Sequence, residues 1–352
     1  MNIIVVDPVY VHSEMVEALY NRSKAFTIFY TKSYGYLSGK ATTFTGGITQ
    51  TSNRSDLTID ESTLLIPCTE EAVNFVDNHY GNVKRNDRSY LETTTSFPSV
   101  VKPKHSFGGA EGVYFVQNQG ELDNLKLDLS EYIIVPYYTG TEYSVDLICK
   151  DDKVYCTGIF EYVKDKDYST LRKEIKLVNN STLQAKIFNF VKSKILDLKY
   201  GTGAYHIEVI INGDNINLVE INSRFHGHVT NTWYELGTGL SPYNAYIDVI
   251  IENKTIPEMY QVKTDILKLL VNLPHKITSA NIEKNMPRNL SSVVFNIDHP
   301  SPYGNDVFGP TTNVLTCYSY FLLADVHNSL KNDLEIINNW CNTLSSMPKY
   351  TE

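Results

Sequence analysis

The chain has 352 residues, of which 42% are hydrophobic and 20% charged, a composition typical of a globular protein with a substantial core. Its net charge of -9 argues against a nucleic-acid partner, because no local basic patch offsets the acidic total. No segment approaches the ~20 apolar residues of a membrane span, and the N-terminus lacks a signal-peptide pattern. Five cysteines without a C-x-x-C pair are typical of reduced thiols, so we expect a cytoplasmic protein.

The first 80 residues alternate strand-like and helical patterns, which predicts an open α/β sheet with ligands at the carboxyl ends of its strands. Thr69 is a plausible N-cap for the second helix. The predicted elements are strands at 3–6, 25–30 and 64–67, and helices at 12–21 and 69–80.

A polar linker over residues 81–97 marks a boundary, after which hairpins dominate. The clearest helix is 181–197, with an apolar face containing Phe190. A second helix is predicted over 241–252, and residues 263–352 read as a small α+β domain. The predicted strands are 100–103, 113–116, 132–137, 143–148, 153–159, 206–211 and 217–221.

The hairpin around the turn at 212–215 carries three oxygen side chains. Glu220 and Asn222 are two positions apart, so they project from the same face of a strand, and pairing brings Glu208 roughly opposite. Carboxylate and amide oxygens suit Mg²⁺, and Arg224 lies two positions further along. An ordinary amphipathic hairpin with exposed polar residues would explain this pattern equally well.

Two weaker features precede that hairpin. Lys102 ends a strand before a glycine loop that contains Ser106, Gly108 and Gly109, and such a loop can cover phosphates. A strand over 134–138 then leads to an acid, Glu142, which suits a ribose. Each feature alone is more simply a hairpin or a surface turn.

Taken in order, the three features resemble the ATP-grasp superfamily over about residues 98–250. The resemblance implies bound ATP and two Mg²⁺ ions, for which Mn²⁺ can substitute. It identifies Lys102 and Arg224 as phosphate-binding catalytic residues and Glu208, Glu220 and Asn222 as metal ligands. Its nucleotide-binding residues would be Lys102, Ser106, Gly108, Gly109, Val135, Pro136, Tyr137, Tyr138 and Glu142.

The run from Glu220 to Gly227 looks most like the branch that joins amino acids into dipeptides. Such ligases phosphorylate a carboxylate with ATP, and an amine then attacks the acyl phosphate. The resemblance makes Glu70, His226 and Gly227 candidate substrate residues. The partners would be a small acid and an amine, with no nucleic acid and no membrane, and a homodimer is compatible with the sequence.

The fold class that follows is a multidomain α/β and α+β protein. A Rossmann-like domain (1–80) would precede an ATP-grasp domain (81–262) and a C-terminal α+β domain (263–352). The family normally has a longer helical stretch before the lysine strand, so we expect 81–97 to be a mobile lid, with Lys84 its only lysine. Two alternatives stay open: a purine-type ligase or carboxylase of the same superfamily, and a non-catalytic ATP-binding regulator.

Overall fold

The computed structural model describes residues 1–9, 12–32, 49–80, 87–105, 112–164, 172–227, 230–284, 286–298, 307–311 and 318–350. The chain divides into two compact units. The first contains 1–159, 181–234 and 240–260, and the second contains 160–180, 235–239 and 261–352. None of the helices in this described part of the chain has the length and apolar character needed to cross a membrane.

The described residues form seventeen β-strands: β1 (Asn2–Val6), β2 (Thr27–Phe29), β3 (Thr49–Thr51), β4 (Thr63–Pro67), β5 (Ser99–Pro103), β6 (Tyr114–Val116), β7 (Tyr132–Pro136), β8 (Thr141–Lys150), β9 (Lys153–Lys164), β10 (Arg172–Leu177), β11 (Gly203–Asn212), β12 (Asn215–Asn222), β13 (Ile266–Leu270), β14 (Ile277–Thr278), β15 (Val293–Asp298), β16 (Val307–Phe308) and β17 (Ser319–Ala324). They also form eight α-helices: α1 (Ser13–Asn21), α2 (Glu70–Tyr80), α3 (Gln119–Asn124), α4 (Ser181–Asp197), α5 (Asn231–Thr238), α6 (Pro242–Tyr246), α7 (Ser279–Glu283) and α8 (Leu330–Ser345).

The first unit begins with a parallel sheet in the order β3-β2-β1-β4, as the alternating pattern predicts. Strand β1 is apolar from Ile3 to Val6 because it is buried on both faces there: Ile3 and Val5 pack into one core cluster, and Ile4 and Val6 into another. Helix α2 begins where the sequence predicts, since the Ala72 amide donates to Thr69 Oγ1 at 3.1 Å.

The carboxyl end of β1 meets the start of α2 at Asp7. Its backbone has a φ of 55°, which turns the chain sharply out of the strand. The buried Asp7 carboxylate accepts hydrogen bonds from the Thr31 amide at 2.7 Å and from Thr69 Oγ1 at 3.1 Å. The carboxyl ends of β1 and β4 therefore lie together, as expected for parallel strands.

A three-stranded antiparallel sheet, β6-β5-β7, follows and confirms the predicted hairpin before and after the glycine loop. Helix α3 was not predicted. Its N-cap Asn118 accepts from the Glu121 amide at 3.0 Å, and Leu122 packs with Val101 and Val116.

The rest of the first unit is built on antiparallel strands in the order β12-β11-β8-β9. Helix α4 has its predicted limits, but Phe188 rather than Phe190 is buried on its apolar face. The predicted helix over 241–252 is interrupted: α6 is followed by a π-helical turn over Ile247–Ile251.

The second unit is α+β. Strands β10, β13, β17 and β15 are adjacent in that order and antiparallel, and β14 pairs with β16. Helix α8 buries Ile337, Trp340 and Leu344, and the Trp340 ring meets Phe321 edge to face at 5.9 Å between centroids. This cluster also contains buried Leu269, so strands and helices share one core.

Gly140, at the turn into β8, gives a test of this fold. Its φ is 140°, and an added Cβ would lie 2.2 Å from the Ile211 carbonyl oxygen. We expect Gly140→Ala to lower the free energy of unfolding by about 3 kcal/mol, because strain and a backbone clash act together. Chemical denaturation followed by circular dichroism measures this loss.

Gly213→Ala is the matched control. Gly213 has a φ of 59°, but nothing lies within 4 Å of an added Cβ, so only the backbone conformation is penalised. Its expected cost is about 1 kcal/mol. Equal losses in the two variants would contradict the close approach of Gly140 to β11.

Candidate functional site

Three neighbouring strands of the first unit, β8, β11 and β12, present polar side chains on one face of the sheet. The ladder pairs His206 with Asp146 and Glu208 with Ser144, and residues paired directly across antiparallel strands share a face. The polar side chains of this face are Glu142, Ser144, Asp146, His206, Glu208, Glu220 and Asn222. We call this set the polar face.

A β-bulge places Glu220 and Asn222 on that face. Strand β12 pairs with β11 regularly from the two-residue turn at 213–214, shorter than the predicted turn, up to Leu218 opposite Val209. The next pair is Glu208 with Glu220, so Val219 is an extra residue. Without it, Glu208 would face Val219, and Glu220 would point to the opposite side of the sheet. The predicted convergence of the three oxygen side chains therefore depends on this bulge.

Glu220 is held by two neighbours. Arg88, itself buried, donates from a terminal guanidinium nitrogen to Glu220 Oε2 at 2.6 Å, and Asn222 Nδ2 donates to Glu220 Oε1 at 2.8 Å. Burial raises the pKa of Glu220, but the Arg88 charge, with Lys102 and the Asn222 hydrogen bond, outweighs it, so the pKa lies below its usual value. Glu220 is thus ionised at neutral pH.

Lys102 lies beside these acids. It is buried, and its Nζ donates to the Val219 carbonyl oxygen at 3.0 Å, where the bulge interrupts the ladder. Burial lowers the pKa of Lys102, and the charges of Glu220, Glu208 and Glu142 oppose that shift. The Lys102 ammonium and the carboxylates of Glu142, Glu208 and Glu220 therefore form one electrostatic group.

The segment before β5 that contains Arg88, Tyr90 and Leu91 also contributes to the site. The sequence did not predict this contribution. Leu91 is buried, the Tyr90 hydroxyl accepts from the Ile221 amide at 2.6 Å, and Arg88 binds Glu220. These contacts contradict the prediction of a mobile lid for residues 87–97. Lys84 and the rest of that predicted lid lie outside the described residues.

The predicted adenine-binding segment runs along β7 and beyond it. Val135 is buried and pairs with Val100 in β5, and the Tyr137 amide donates to the Pro98 carbonyl at 3.3 Å. The Tyr137 ring is exposed. Pro136 ends β7, and burial raises the pKa of Tyr138. The loop residues Ser106, Gly108 and Gly109 lie outside the described part of the chain.

Arg224 and Glu70, both singled out from the sequence, form an ion pair. Arg224 Nε donates to Glu70 Oε1 at 2.9 Å, and a terminal nitrogen donates to the same oxygen. Another terminal nitrogen donates to the Phe225 carbonyl at 2.8 Å. Burial lowers the pKa of Arg224, but Glu70 and the more distant acids raise it overall. Gly227 lies beside this guanidinium, since an added Cβ would be 3.7 Å from it.

Asp146, His206, His226 and Tyr234 form a second polar group, which the sequence did not predict as a group. Asp146 accepts from His206 Nδ1 at 2.7 Å, lies 3.3 Å from His226 Nδ1 and binds the Tyr234 hydroxyl. Burial lowers the pKa of His206, but Asp146 and Glu208 raise it overall, to about 9. The period-two pattern signals His206, which lies two positions before Glu208; only the fold brings Asp146 and His226 to it.

A cavity of about 320 Å³ lies in the first unit beside Arg224. Its wall includes the whole of β4, the start of β11 and the backbone after β12. The volume is in the range of small-molecule sites. A small ligand in this cavity would therefore lie next to Arg224.

Residues 82–228 match the family model described as ATP-grasp domain. The large chain of arginine-specific carbamoyl phosphate synthase from Halalkalibacterium halodurans is 24% identical over 172 residues, 46% of this chain and 16% of that protein. Formate-dependent phosphoribosylglycinamide formyltransferase from Nitratiruptor sp. is 26% identical over 143 residues, 38% of this chain and 36% of that protein. This chain thus matches much less than half of either relative.

Solved structures share the fold over nearly the whole chain. The L-amino acid ligase from Bacillus licheniformis has a TM-score of 0.65 and 12% identity, covering 96% of this chain and 97% of that one. The ATP complex of carboxyaminoimidazole ribonucleotide synthase from Aspergillus clavatus has a TM-score of 0.70 and 13% identity, covering 99% of each chain. At these identities the likeness establishes the fold.

The Arg88–Glu220 pair gives a test of the site's electrostatics. In Arg88→Ala, burial acts on Glu220 without its main counter-charge, so its pKa should rise, as NMR titration of the glutamate carboxyl carbons measures. The free energy of unfolding at neutral pH should fall by about 3 kcal/mol. A glutamate whose pKa is lowered by folding stabilises the folded state at pH values above its pKa in the unfolded chain, about 4.3. The stability difference between the wild-type chain and Arg88→Ala should therefore shrink as the pH falls below that value.

The control for that test is Arg54→Ala. Arg54 is an exposed arginine that contacts His79 at 2.9 Å, and its loss should change stability by less than about 0.5 kcal/mol. An unchanged Glu220 pKa in Arg88→Ala would contradict the assignment of Arg88 as its counter-charge.

Proposed function

We propose, from the match of residues 82–228 to the ATP-grasp domain family, that the protein is an ADP-forming ligase that joins a carboxylate to an amine. The observation that carries the proposal is the bulge-dependent convergence of Glu208, Glu220 and Asn222 beside buried Lys102. A hairpin with merely exposed polar residues does not account for buried acids surrounded by placed cations.

The donor set of the polar face fits magnesium. Glu208 and Glu220 are paired across the ladder, and Asn222 uses Nδ2 to bind Glu220, which leaves its Oδ1 suited to a cation. We assign these three residues as ligands of two Mg²⁺ ions, which would supply charge neutralisation to the phosphates of ATP when bound. Oxygen-only ligation favours Mg²⁺ or Mn²⁺ over softer metals.

The nucleotide would be held by residues around this face. Lys102 would supply a fixed positive charge for a phosphate, and Glu142 on β8 would accept hydrogen bonds from the ribose hydroxyls. The adenine would lie along the end of β7, beside backbone groups of residues 135–138. Ser106, Gly108 and Gly109, which lie outside the described residues, are kept as proposed phosphate-binding residues. We also propose the domain limits 1–80, 81–262 and 263–352 for this arrangement.

The chemistry assigned to the site is positioning and charge stabilisation. A carboxylate oxygen of the acid attacks the γ-phosphorus of ATP, and ADP leaves. The amine then attacks the acyl carbon, phosphate leaves, and the proton lost by the amine goes to solvent. Arg224 would bind the carboxylate during phosphorylation and the acyl phosphate afterwards, because a guanidinium matches both in geometry.

Within this class, we propose an amino acid as the acid substrate. Glu70 and Arg224 present opposite charges side by side, with Arg224 Nε 2.9 Å from Glu70 Oε1. A zwitterionic amino acid carries the complementary pair, with its ammonium for Glu70 and its carboxylate for Arg224. The adjoining 320 Å³ cavity is large enough for a side chain, and His226 and Gly227 would border the same substrate.

A ligase or carboxylase that acts on a purine precursor is the second candidate. It is supported by the fold shared with carboxyaminoimidazole ribonucleotide synthase. Release of phosphate with a panel of amino acids, compared with aminoimidazole ribonucleotide and bicarbonate, separates the two. Absence of turnover with every acid and amine would favour a non-catalytic ATP-binding regulator.

The catalytic assignment predicts the behaviour of two variants. Glu208→Gln and Arg224→Ala should each lower the rate of acid-dependent ADP release by at least about 100-fold. The first removes a charged ligand of the proposed Mg²⁺ site, and the second removes a positive charge beside the transferring phosphoryl group. Asp214→Asn, at the exposed tip of the same hairpin, is the control and should keep the full rate. Near-normal turnover in either site variant would reject the assignment.

Substrate choice is tested through Glu70. Glu70→Gln should raise the KM for the amino acid about tenfold or more, since one charge-assisted hydrogen bond is lost. The KM for the same acid without its α-amino group should hardly change. Glu71→Gln, which removes an exposed ion pair with Lys32, is the neighbouring control. An equal effect on both acids would mean that Glu70 only orients Arg224.

A further inference from the structure

Apart from His226, which would border the substrate, the Asp146 group has no part in the ligase chemistry described above. Asp146 lies on β8, His206 on β11 and His226 in the segment after β12, and all three are buried. One carboxylate oxygen binds His206 Nδ1 at 2.7 Å, and the other lies 3.3 Å from His226 Nδ1. The two imidazole rings stack with centroids 4.2 Å apart and an angle of 24° between their planes.

The spacing of the three side chains is that of a metal-ligand set. One ligand atom from each residue lies within 4.8 Å of the other two. A cation with bonds of about 2.0–2.1 Å holds tetrahedral ligand atoms about 3.3 Å apart. The 3.3 Å contact of His226 and the 2.7 Å contact of His206 are made to different oxygens of Asp146, so one bound ion would turn the carboxylate and open the shorter contact by roughly 0.6 Å.

Charge and the space beside the cluster also fit one ion. A cavity of about 10 Å³, about the volume occupied by a single water or ion, borders Asp146, His226 and Tyr234, although His206 does not line it. A divalent cation there would be balanced by Asp146 and by Glu208, whose Oε1 lies 3.5 Å from His206 Nε2. Two nitrogens and one carboxylate oxygen favour a metal such as zinc or cobalt over magnesium.

We propose that Asp146, His206 and His226 bind one divalent transition-metal ion, Zn²⁺ or a chemically similar cation. This site is distinct from the proposed oxygen-only Mg²⁺ site of Glu208, Glu220 and Asn222. The ion would tie the segment that carries Arg224 and His226 to β8 and β11, so that it would fix the position of the Arg224 backbone relative to the sheet. Tyr234, bonded to the second Asp146 oxygen, would orient the carboxylate.

Cobalt titration tests this site without nucleotide or substrate. The full chain, freed of metal with a chelator, is titrated with Co²⁺ in excess Mg²⁺, which fills the oxygen site. We expect one equivalent to bind with the ligand-field absorption of nitrogen and oxygen ligands. X-ray absorption at the cobalt edge should show two imidazoles. Absence of saturable binding by the wild-type chain, or a shell of oxygens alone, overturns the proposal.

Variants locate the ion. His206→Gln and His226→Gln should each weaken Co²⁺ binding by at least about 10-fold. His275→Gln is the matched control, because this half-buried histidine contacts the Met347 carbonyl at 3.0 Å, far along the chain from the cluster. Binding that survives both cluster substitutions overturns the proposal. If either variant fails to fold, the wild-type absorption spectrum decides.

A further variant separates this site from the ligase proposal. Glu220→Gln should lose ligase turnover and keep the Co²⁺ absorption, because Glu220 is not within the cluster. Loss of turnover in all variants without any Co²⁺ site would reject the metal and leave the ligase intact. A Co²⁺ site in a protein that turns over no acid would support the metal site and reject the ligase proposal.

Discussion

A β-bulge at Val219 determines which side chains share the polar face of the sheet. In a ladder without it, Glu208 would be paired with a valine, and Glu220 and Asn222 would point to the other face. The bulge also interrupts the ladder at the Val219 carbonyl, which accepts from Lys102. One extra residue therefore aligns the three oxygen side chains and anchors the lysine beside them.

That alignment concentrates negative charge, and the rest of the site counters it. Burial raises the pKa of Glu220, and repulsion by Glu208 acts in the same direction. Arg88 from the segment before β5 and Lys102 from β5 itself supply the opposing charges. The three-stranded sheet is thus linked to the hairpin electrostatically, which explains why charged residues are buried there at all.

Much of this arrangement could be predicted from sequence. Period-two alternation places Glu220 with Asn222, and the turn formers at 212–215 identify the hairpin, since both signals are local. The bulge could not be predicted, because a one-residue register shift has no local pattern here. Nor could the partners of Glu220 and Asp146: Arg88 is 132 positions from Glu220, and His226 is 80 from Asp146. Such pairs depend on the tertiary fold.

The helices show the same contrast between local patterns, which the sequence predicts, and tertiary contacts, which it does not. The limits of α4 follow from its apolar spacing, but which of Phe188 and Phe190 is buried depends on what packs against the helix. The π-helical turn after α6 has no distinctive composition and was predicted as ordinary helix. Local patterns therefore locate elements well and side-chain partners poorly.

The pairing of Arg224 with Glu70 has a consequence for how fast ATP would be hydrolysed without substrate. An arginine that is already neutralised by a carboxylate attracts the γ-phosphate of ATP less strongly than a bare one. In a ligase of the proposed kind, full positive charge would appear only when a substrate ammonium takes Glu70 away. Water brings no such group, so wasteful hydrolysis of ATP would be slow until an amino acid arrives.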